Sequence, residues 1–443
     1  MAMRYKTLLS ALIVIAPIGS ALALAPAAMA VAQVNGSAPA PALHFKGGRW
    51  FDGVRFVAAD WYAVDGRLTH KQPARVDAAV NLADRWVIPP LAEAHNHDLQ
   101  NAFFAARSAP SYISRGIFYS AQLCANPEDI RSFRGFLGGL ATPDTIFAEA
   151  CISSSDGHPL GIALASAKQA GYALRAEEVR DKGYWAVDSL ADLDARWARI
   201  AAARPAIVKI ILIDSANYAA NRKLPELFGF NGLDPALVPE IVRRSHAIHA
   251  RVAAHVDTAD DFAAAVSSGV DIIAHLPGYR IAKGKTGADY RITDAAIGDA
   301  AKRKTLIITT VAAAKYDIEA HRAHAGPITT DYIDNIRRLR SAGVNLLVGS
   351  DAIDGSVIEE IGAIDRLTVM SRSELLRIAT MVTPRALFPT RDIGRFAEGA
   401  EASLVAFGSN PIADIAVLGR PQLLVKQGTI LSPHHSHVCL FKG

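Results

Sequence analysis

The sequence predicts an α/β protein in which a (β/α)8 TIM barrel carries a small β-sandwich domain formed from both chain ends. From residue 86 onward, eight short apolar runs alternate with segments of helical periodicity over about 300 residues, which suits a closed parallel barrel. Before and after this region the chain has short alternating runs with turn residues, which is typical of antiparallel strands. A doubly wound open sheet is the alternative, but no glycine-rich nucleotide loop follows the first apolar run.

The first thirty residues have the composition of a secretory signal. Arg4 and Lys6 give a positive start, an apolar run follows, and Ala28-Met29-Ala30 offers a cleavage site between small residues. An uncleaved membrane anchor is the alternative, but a proline and a glycine inside the apolar run favour cleavage. We therefore expect a periplasmic or secreted protein whose mature chain has no membrane span.

Five segments follow from these patterns. They are a signal peptide (1–30), a linker (31–42), the N-terminal part of the β-sandwich (43–88), the barrel (89–390) and the C-terminal part of the β-sandwich (391–443).

The eight expected barrel strands are apolar runs of strand length. In chain order they are Trp86–Pro90, Gly116–Gln122, Thr145–Cys151, Ile207–Leu212, Arg251–His255, Val270–His275, Leu306–Val311 and Asn345–Ser350. Helices are expected between them, and two have clear start signals. Asp234-Pro235 is an N-cap followed by proline at the first helical position, and Thr258 with Asp261 resembles a capping box.

The chain ends predict strands that belong to one small domain. Turn sequences such as Trp50-Phe51-Asp52-Gly53 and Val64-Asp65-Gly66-Arg67 interrupt alternating runs before the barrel. After the barrel, Ser403–Phe407 predicts a strand, and Val425-Lys426-Gln427-Gly428 resembles a hairpin turn. We expect both regions to pack together beside the barrel.

Composition indicates a globular chain without a nucleic-acid partner. The 443 residues are 51% hydrophobic and 20% charged, which is enough for one large core plus an accessory domain. The formal net charge is +4, and two of the positive charges lie in the expected signal peptide, which leaves the mature chain near +2. The sequence has no basic stripe of the kind that binds nucleic acid. The sequence leaves the oligomeric state open, and a homo-oligomer is compatible with it.

Three cysteines allow at most one disulfide bond within the chain. Cys124 and Cys151 each follow an apolar run and could be neighbours, whereas Cys439 lies near the end of the chain. Buried free thiols are the interpretation that we favour for these residues.

Ligand-type residues follow several of the expected strands. His95 and His97 flank one residue, so in an extended segment both imidazoles can face one ion. His255, His275 and Asp351 each come at the end of an apolar run, and barrel enzymes place their chemistry at this end of the strands. Any one of them could be a hydrogen-bonded core residue, but together they predict a shared metal site.

Lys209 lies inside an apolar run, Ala206 to Leu212. A buried ammonium there is costly unless it is neutralised, paired or modified. One interpretation is an inward lysine paired with a carboxylate. The other is a lysine that carries a ligand or nucleophilic group at the barrel centre.

These residues resemble the amidohydrolase superfamily over nearly the whole mature chain. The matching segments are residues 89–97, Lys209, residues 255–260, 263–269 and 271–275, Gly349-Ser350-Asp351, Thr383-Pro384-Arg385-Ala386 and residues 393–401. The short interval between His255 and His275 is similar to the branch of imidazolonepropionase-like and prolidase-type metal-dependent hydrolases. Pro89-Pro90 replaces the usual Pro-Gly, and Ala402-Ser403-Leu404 replaces the common Ala-Asp-Leu, which leaves the substrate open.

The resemblance implies two metal ions per chain, usually zinc, although other divalent metals are compatible. His95, His97 and Asp351 would bind one ion, and His255 and His275 the other. Lys209 would be carboxylated and bridge both ions, and Asp351 would also be the catalytic proton shuttle for a metal-activated hydroxide.

The implied activity is hydrolysis of an amide-type C–N bond in a small substrate, such as a dipeptide or an N-acyl amino acid. His158 lies in the loop after the third expected strand and is a candidate substrate contact. Tyr218, Arg222, Tyr279 and Arg280 lie in loops after the fourth and sixth strands and could grip a substrate carboxylate, or could simply face solvent.

Two other functions stay open. One activated hydroxide could instead cleave a lactone, a phosphoester or a cyclic imide. The second is a non-enzymatic zinc-binding protein, which the C-terminal cluster His434, His435 and His437 would support. An exposed tail is the simpler interpretation of that cluster.

Overall fold

The computed structural model describes residues 40–278, 284–313, 325–431 and 440–441. The predicted signal peptide, most of the predicted linker, Cys439 and the C-terminal histidine cluster lie outside these residues. No helix of the described part of the chain is long and apolar enough to cross a membrane.

The strands fall into three sheets. In chain order they are β1 (Leu43–Lys46), β2 (Arg49–Phe51), β3 (Phe56–Ala58), β4 (Trp61–Val64), β5 (Arg67–Thr69), β6 (Ala78–Asn81), β7 (Trp86–Ile88), β8 (Leu91–Asn96), β9 (Ile117–Leu123), β10 (Asp144–Ala148), β11 (Cys151–Ser153), β12 (Tyr184–Ala186), β13 (Ile207–Leu212), β14 (Arg251–Val256), β15 (Ile272–Ile273), β16 (Leu306–Ile308), β17 (Leu346–Leu347), β18 (Leu404–Phe407), β19 (Leu423–Lys426), β20 (Thr429–Leu431) and β21 (Leu440–Phe441).

Helices connect and cover the barrel strands. They are α1 (Ala102–Ser114), α2 (Pro127–Phe133), α3 (Leu160–Gln169), α4 (Ala176–Val179), α5 (Leu190–Ala202), α6 (Tyr218–Asn221), α7 (Val238–Ala247), α8 (Ala259–Ser267), α9 (Asp294–Arg303), α10 (Ala325–Ser341), α11 (Val357–Leu367), α12 (Arg372–Arg377) and α13 (Thr383–Leu387), with a π-helical turn at Ile378–Val382. Short 3-10 turns occur at Arg134–Phe136, Ser215–Asn217, Pro225–Leu227, Pro235–Leu237, Gly287–Asp289 and Ile415–Gly419.

The predicted helix starts agree with the structure. Asp234 caps the 3-10 turn that leads into α7, and its side chain accepts a hydrogen bond from the backbone of Ala236. Thr258 caps α8 and forms a reciprocal capping box with Asp261.

Eight parallel strands form a nearly closed barrel, which confirms the predicted fold class. The hydrogen-bonded order is β8-β9-β10-β13-β14-β15-β16-β17, and β11 continues the third strand beside β13. The backbone of Ala94 donates to the carbonyl of Val348 at 3.0 Å, and Asn96 bridges Ala352, so the first strand meets the last. The carboxyl ends of all eight strands therefore face one side of the molecule.

The prediction that Trp86–Pro90 is the first barrel strand is wrong. Trp86–Ile88 pairs with β2 and β18 in a sheet outside the barrel, and the first barrel strand is Leu91–Asn96. Pro89 and Pro90 separate the two strands because proline cannot donate to a strand ladder. The apolar pattern runs through both strands and hides the boundary.

The other seven predicted barrel strands are correct in place, but the last three are predicted too long. The third is divided into Asp144–Ala148 and Cys151–Ser153, while the last three shorten to Ile272–Ile273, Leu306–Ile308 and Leu346–Leu347. The residues that follow them turn into the loops at the carboxyl ends of the strands.

Strands from both chain ends build two small mixed sheets that form the predicted β-sandwich. One has the order β20-β19-β18-β7-β2-β3 and the other the order β21-β6-β1-β4-β5. Buried side chains of both sheets share one core, which includes Phe45, Trp50, Trp61, Leu404 and Val425. The N-terminal and C-terminal segments therefore stabilise each other.

Lys426 attaches this domain to the start of the third barrel strand. Its fully buried ammonium donates to the carbonyls of Gly139 and Thr142 and to Oδ1 of Asp144, at 2.7–2.9 Å. Arg391 pairs with the other oxygen of Asp144 at 2.6 Å. The buried cation is thus fully compensated by hydrogen bonds and charge.

The favoured interpretation of Cys124 and Cys151 as free thiols is wrong, because the two form a disulfide bond. Their Cα atoms are 5.2 Å apart. Cys124 directly follows β9 and Cys151 begins β11, so parallel strand ends bring the two residues together although 27 positions separate them in sequence.

Candidate metal centre

The centre of the site consists of His95 near the end of the first barrel strand, His97 directly after that strand, and one carboxylate after the last strand. Nε2 of His95 is 3.1 Å and Nε2 of His97 is 3.0 Å from Oδ1 of Asp351. Among the described residues, these three form a group whose ligand atoms all lie within 4.8 Å of one another. They constitute a candidate metal site.

The backbone fixes these residues where the barrel closes. Asp351 has a left-handed φ of 51°, and its N–H donates to the carbonyl of His95 at 2.7 Å. The buried side chain of Glu93 accepts from the backbone of His95 at 3.1 Å and from the backbone and hydroxyl of Ser350 at 2.8 and 2.9 Å. Glu93 therefore joins the first strand to the residue before Asp351.

The contact between His95 and Asp351 requires a positive charge. Nδ1 of His95 lies 3.1 Å from the carbonyl of Ala274, which only accepts, so this nitrogen carries the proton. In the neutral ring Nε2 is then an acceptor that faces a carboxylate oxygen. Burial lowers the pKa of His95 well below its usual range, which disfavours a second proton. A metal cation between the two acceptors fits this arrangement.

Asp351 stays ionised in this environment. Burial raises its pKa, but the neighbouring rings of His95 and His275 and a hydrogen bond from His97 outweigh burial and hold the pKa well below its usual range. A carboxylate that is ionised at neutral pH is suited to bind a cation.

His255 and His275 extend the cluster of rings. The ring of His275 is 4.7 Å from that of His95 and 4.5 Å from that of His255, and its Nδ1 is 3.6 Å from Oδ2 of Asp351. Nε2 of His255 lies 2.8 Å from Oδ1 of Asp257, an acid that the sequence reasoning did not single out. The structure thus brings all four predicted histidines to one end of the barrel.

Lys209 is buried on β13 beside this cluster. Its Nζ has no hydrogen-bond partner among the described residues. Burial lowers its pKa to about 7, and the charge of Asp351 only partly offsets this effect. Of the two sequence interpretations, a lysine paired directly with a carboxylate does not agree with the structure. An orphaned amine of this kind is one that modification or a nearby ligand must satisfy.

His158 lies against the site through its ring. The ring stacks on that of His255 at 5.4 Å, and its backbone N–H donates to the carbonyl of Asn231 at 2.8 Å. The loop after the third strand therefore brings His158 to the edge of the histidine cluster.

Arg222 is occupied by the protein itself. Its guanidinium contacts Oδ1 of Asp188 at 2.8 Å, Oδ1 of Asp156 at 3.2 Å and the hydroxyl of Tyr218 at 2.9 Å. Two carboxylates neutralise this cation, so Arg222 and Tyr218 brace the loop that carries His158. Tyr279 and Arg280, the other two predicted substrate contacts, lie outside the described residues.

The sequence reasoning missed two residues behind the cluster. The hydroxyl of Thr310 lies 3.2 Å from Nδ1 of His275, and Glu360 accepts hydrogen bonds from the residues around Thr310. A signal for Glu360 exists, because it falls on the buried face of α11 with Val357, Ile361 and Ile364. Acids on such a face are rarely left without partners.

Comparison with known proteins agrees with the sequence resemblance. Residues 231–431 match the Amidohydrolase family, the family whose resemblance the sequence motifs indicated. A comparison with curated protein sequences gives no match.

Several solved structures have the same fold at low sequence identity. A Xaa-Pro dipeptidase with bound methionine in its active site is 19% identical, with a TM-score of 0.67, and the match covers 88% of this chain and 99% of that chain. An ochratoxinase from A. niger is 15% identical, with a TM-score of 0.70 and coverage of 91% and 99%. Phenylurea hydrolase B is 16% identical, with a TM-score of 0.64 and coverage of 88% and 97%. At these identities the likeness concerns the fold.

Proposed function

We infer that this chain, whose residues 231–431 carry the Amidohydrolase family match, is a metal-dependent hydrolase of amide-type C–N bonds in small substrates. A dipeptide or an N-acyl amino acid is the substrate class that we propose. The observation that carries the proposal is the contact of two histidine nitrogens with one buried carboxylate oxygen, beside a buried lysine without a partner among the described residues.

We propose that zinc is the cation and that each chain holds two ions. His95, His97 and Asp351 would hold one of them, and His255 and His275 the other. A divalent cation supplies two effects at such a site, because it lowers the pKa of water and polarises a carbonyl group.

Lys209 would be a shared ligand after reaction with carbon dioxide. Its free amine adds to carbon dioxide and releases one proton, which leaves a carbamate with one negative charge. The pKa of about 7 supports this step, because a large fraction of the amine is unprotonated near neutral pH. The modification replaces a costly buried cation by an anionic oxygen ligand.

Asp351 would move the proton during hydrolysis. Oδ1 is shared by His95 and His97, whereas Oδ2 lies 3.6 Å from His275 and is the less engaged oxygen. The ionised carboxylate can accept a proton from the attacking water and return it to the leaving nitrogen.

His158 is the residue that we propose for substrate contact, since its ring extends the histidine cluster toward the loops. Arg222 is not proposed as a free anchor for a substrate carboxylate, because Asp156 and Asp188 already neutralise it. One protein of the same fold is a Xaa-Pro dipeptidase, which supports the choice of dipeptides as first substrates.

A substrate screen tests the proposal. Zinc-loaded mature protein is incubated with dipeptides and N-acyl amino acids, and with lactones, phosphoesters and cyclic imides as competing classes. We expect amide cleavage that a chelator abolishes and added zinc restores. Turnover of another class alone would overturn the substrate assignment, and no turnover of any class at full metal occupancy would favour a non-enzymatic zinc-binding protein.

A further inference from the structure

Glu360 is a fully buried carboxylate in the first turn of α11. Its Oε1 accepts hydrogen bonds from the hydroxyl of Thr309 and, at 2.9 Å, from the backbone of Val311. Its Oε2 accepts from the backbone of Ala312 at 2.6 Å. Three donors from a four-residue segment thus converge on one side chain.

These hydrogen bonds bracket a strained residue. Thr310 has a φ of 45°, in the left-handed region that β-branched residues rarely adopt. The hydroxyl of Tyr332 also donates to the carbonyl of Thr309. A backbone conformation of this kind persists only where the surroundings enforce it. Here Glu360 enforces it by accepting the hydrogen bonds from the residues on both sides of Thr310.

The strained residue touches the metal centre. The hydroxyl of Thr310 lies 3.2 Å from Nδ1 of His275, whose ring stands between those of His95 and His255. A series of contacts therefore connects Glu360 on α11 with Thr310, which follows β16, and Thr310 with His275, which follows β15.

We propose that Glu360 is a positioning residue for the metal centre, which fixes the ring of His275 by holding Thr310 in its left-handed conformation. The inference rests on the proposed function, because it assigns the purpose of the contact to metal binding. Partners that orient a ligating histidine commonly contribute about 10–100-fold to metal affinity.

Binding of cobalt(II) to the metal-free protein tests the proposal without any substrate. In Glu360→Gln an amide NH2 replaces one carboxylate oxygen and opposes a backbone N–H donor, so one side of the contact is lost. We expect cobalt affinity to fall by about 10–100-fold. Glu359→Gln is the matched control, because its neighbouring carboxylate is 54% exposed and pairs with Arg115, and this variant should keep the affinity of the unmodified protein.

A second variant removes the hydroxyl and leaves the Glu360 contacts in place. Thr310→Val should weaken cobalt binding as Glu360→Gln does. The double variant should be no weaker than either single variant, because both interrupt the same series of contacts. In the metal-free proteins, backbone hydrogen exchange of residues 306–313 should be faster in Glu360→Gln than in Thr310→Val or the unmodified protein. This measurement shows the loosening of the segment independently of metal binding.

The outcomes separate the inference from the function. Unchanged cobalt affinity in Glu360→Gln, or in Thr310→Val should the first variant fail to fold, would overturn the positioning role. Losses that add in the double variant would overturn it too. Absence of cobalt binding by the unmodified protein would overturn the proposed function, and this inference with it.

Discussion

At the scale of single residues, the site is defined by groups that the protein alone does not satisfy. Nε2 of His95 is a hydrogen-bond acceptor, and it faces a carboxylate oxygen of Asp351 that is also an acceptor. Nζ of Lys209 has no hydrogen-bond partner among the described residues. Each arrangement costs free energy in the absence of a ligand. In the proposed function, both costs would be removed by the binding of cations next to a carboxylated Lys209.

Asp351→Asn should separate proton transfer from metal binding. The substitution is nearly isosteric, so the fold and at least one bound metal ion should remain. The proton acceptor is lost, and kcat should fall by at least about 10²–10⁴-fold, with a much smaller change in KM. Turnover and metal content are measured on the same sample. Near-normal turnover at full metal occupancy would exclude Asp351 as the proton shuttle.

Lys209→Met should stabilise the metal-free protein or leave its stability unchanged. Methionine fills a similar volume and removes a buried amine without a partner, so the free energy of unfolding should rise by about 0–3 kcal/mol. Metal binding and turnover should both fall, because the proposed shared ligand is gone. Denaturant unfolding of chelated samples gives the comparison. A large loss of stability would show that the amine has a partner in the folded protein.

The sequence predicts the residues of the site better than their surroundings. His95, His255, His275 and Asp351 come at the ends of apolar strands, and that pattern is visible without a structure. Glu360 follows Glu359 in a helix, and its helical spacing from Val357 places it on the apolar face. Its hydrogen bonds to the backbone around Thr310 are visible only in the folded chain. The pairing of Arg222 with Asp156 and Asp188 is equally hidden, because these residues lie 34 or more positions away.

At the scale of elements, the sequence predicts most of the strands but not the contacts between the loops. Periodicity finds all the barrel strands except the first, where two strands meet at Pro89-Pro90 inside one apolar run. Loop contacts then shape the catalytic face. Lys285 pairs with Asp214 at 2.7 Å and so ties the loop after β15 to the loop after β13.

Lys426→Met should destabilise the protein, in contrast to the same substitution at Lys209. Lys426 has three hydrogen-bond acceptors, and its removal leaves two carbonyls and one oxygen of Asp144 buried without it. Arg391 still neutralises Asp144, so we expect a loss of about 3 kcal/mol, at the lower end for a broken buried pair. The two variants are compared by denaturant unfolding under identical conditions. Equal effects of both would contradict the assignment of one buried lysine as satisfied and the other as orphaned.

At the scale of the whole molecule, the chain ends are part of the folded unit. Strands from residues 43–88 and from 404–431 share one core, and Lys426 attaches that core to the barrel. Removal of the strands at either chain end would therefore expose apolar side chains of the strands that remain.

Export and processing are predicted from the first thirty residues, which lie outside the described part of the chain. The positive start, the apolar run and Ala28-Met29-Ala30 predict a mature protein that begins near Val31. Mass spectrometry of the protein from the periplasm or medium measures the mature N-terminus. Recovery of the chain with Met1 intact would refute cleavage.

Zinc stoichiometry is the direct test of the proposed metal centre. Metal-free protein is reloaded with zinc, separated from free ions and analysed for zinc per chain, together with the variant His95→Asn/His97→Asn. His246→Asn serves as the matched control, since His246 is half exposed and pairs with Asp271 at the opposite end of the strands. We predict that the unmodified protein and the control retain one or two zinc ions, and that the double variant loses at least one of them while keeping its fold. No retained zinc in the unmodified protein, or an unchanged zinc content in the double variant, would contradict a metal centre at His95 and His97.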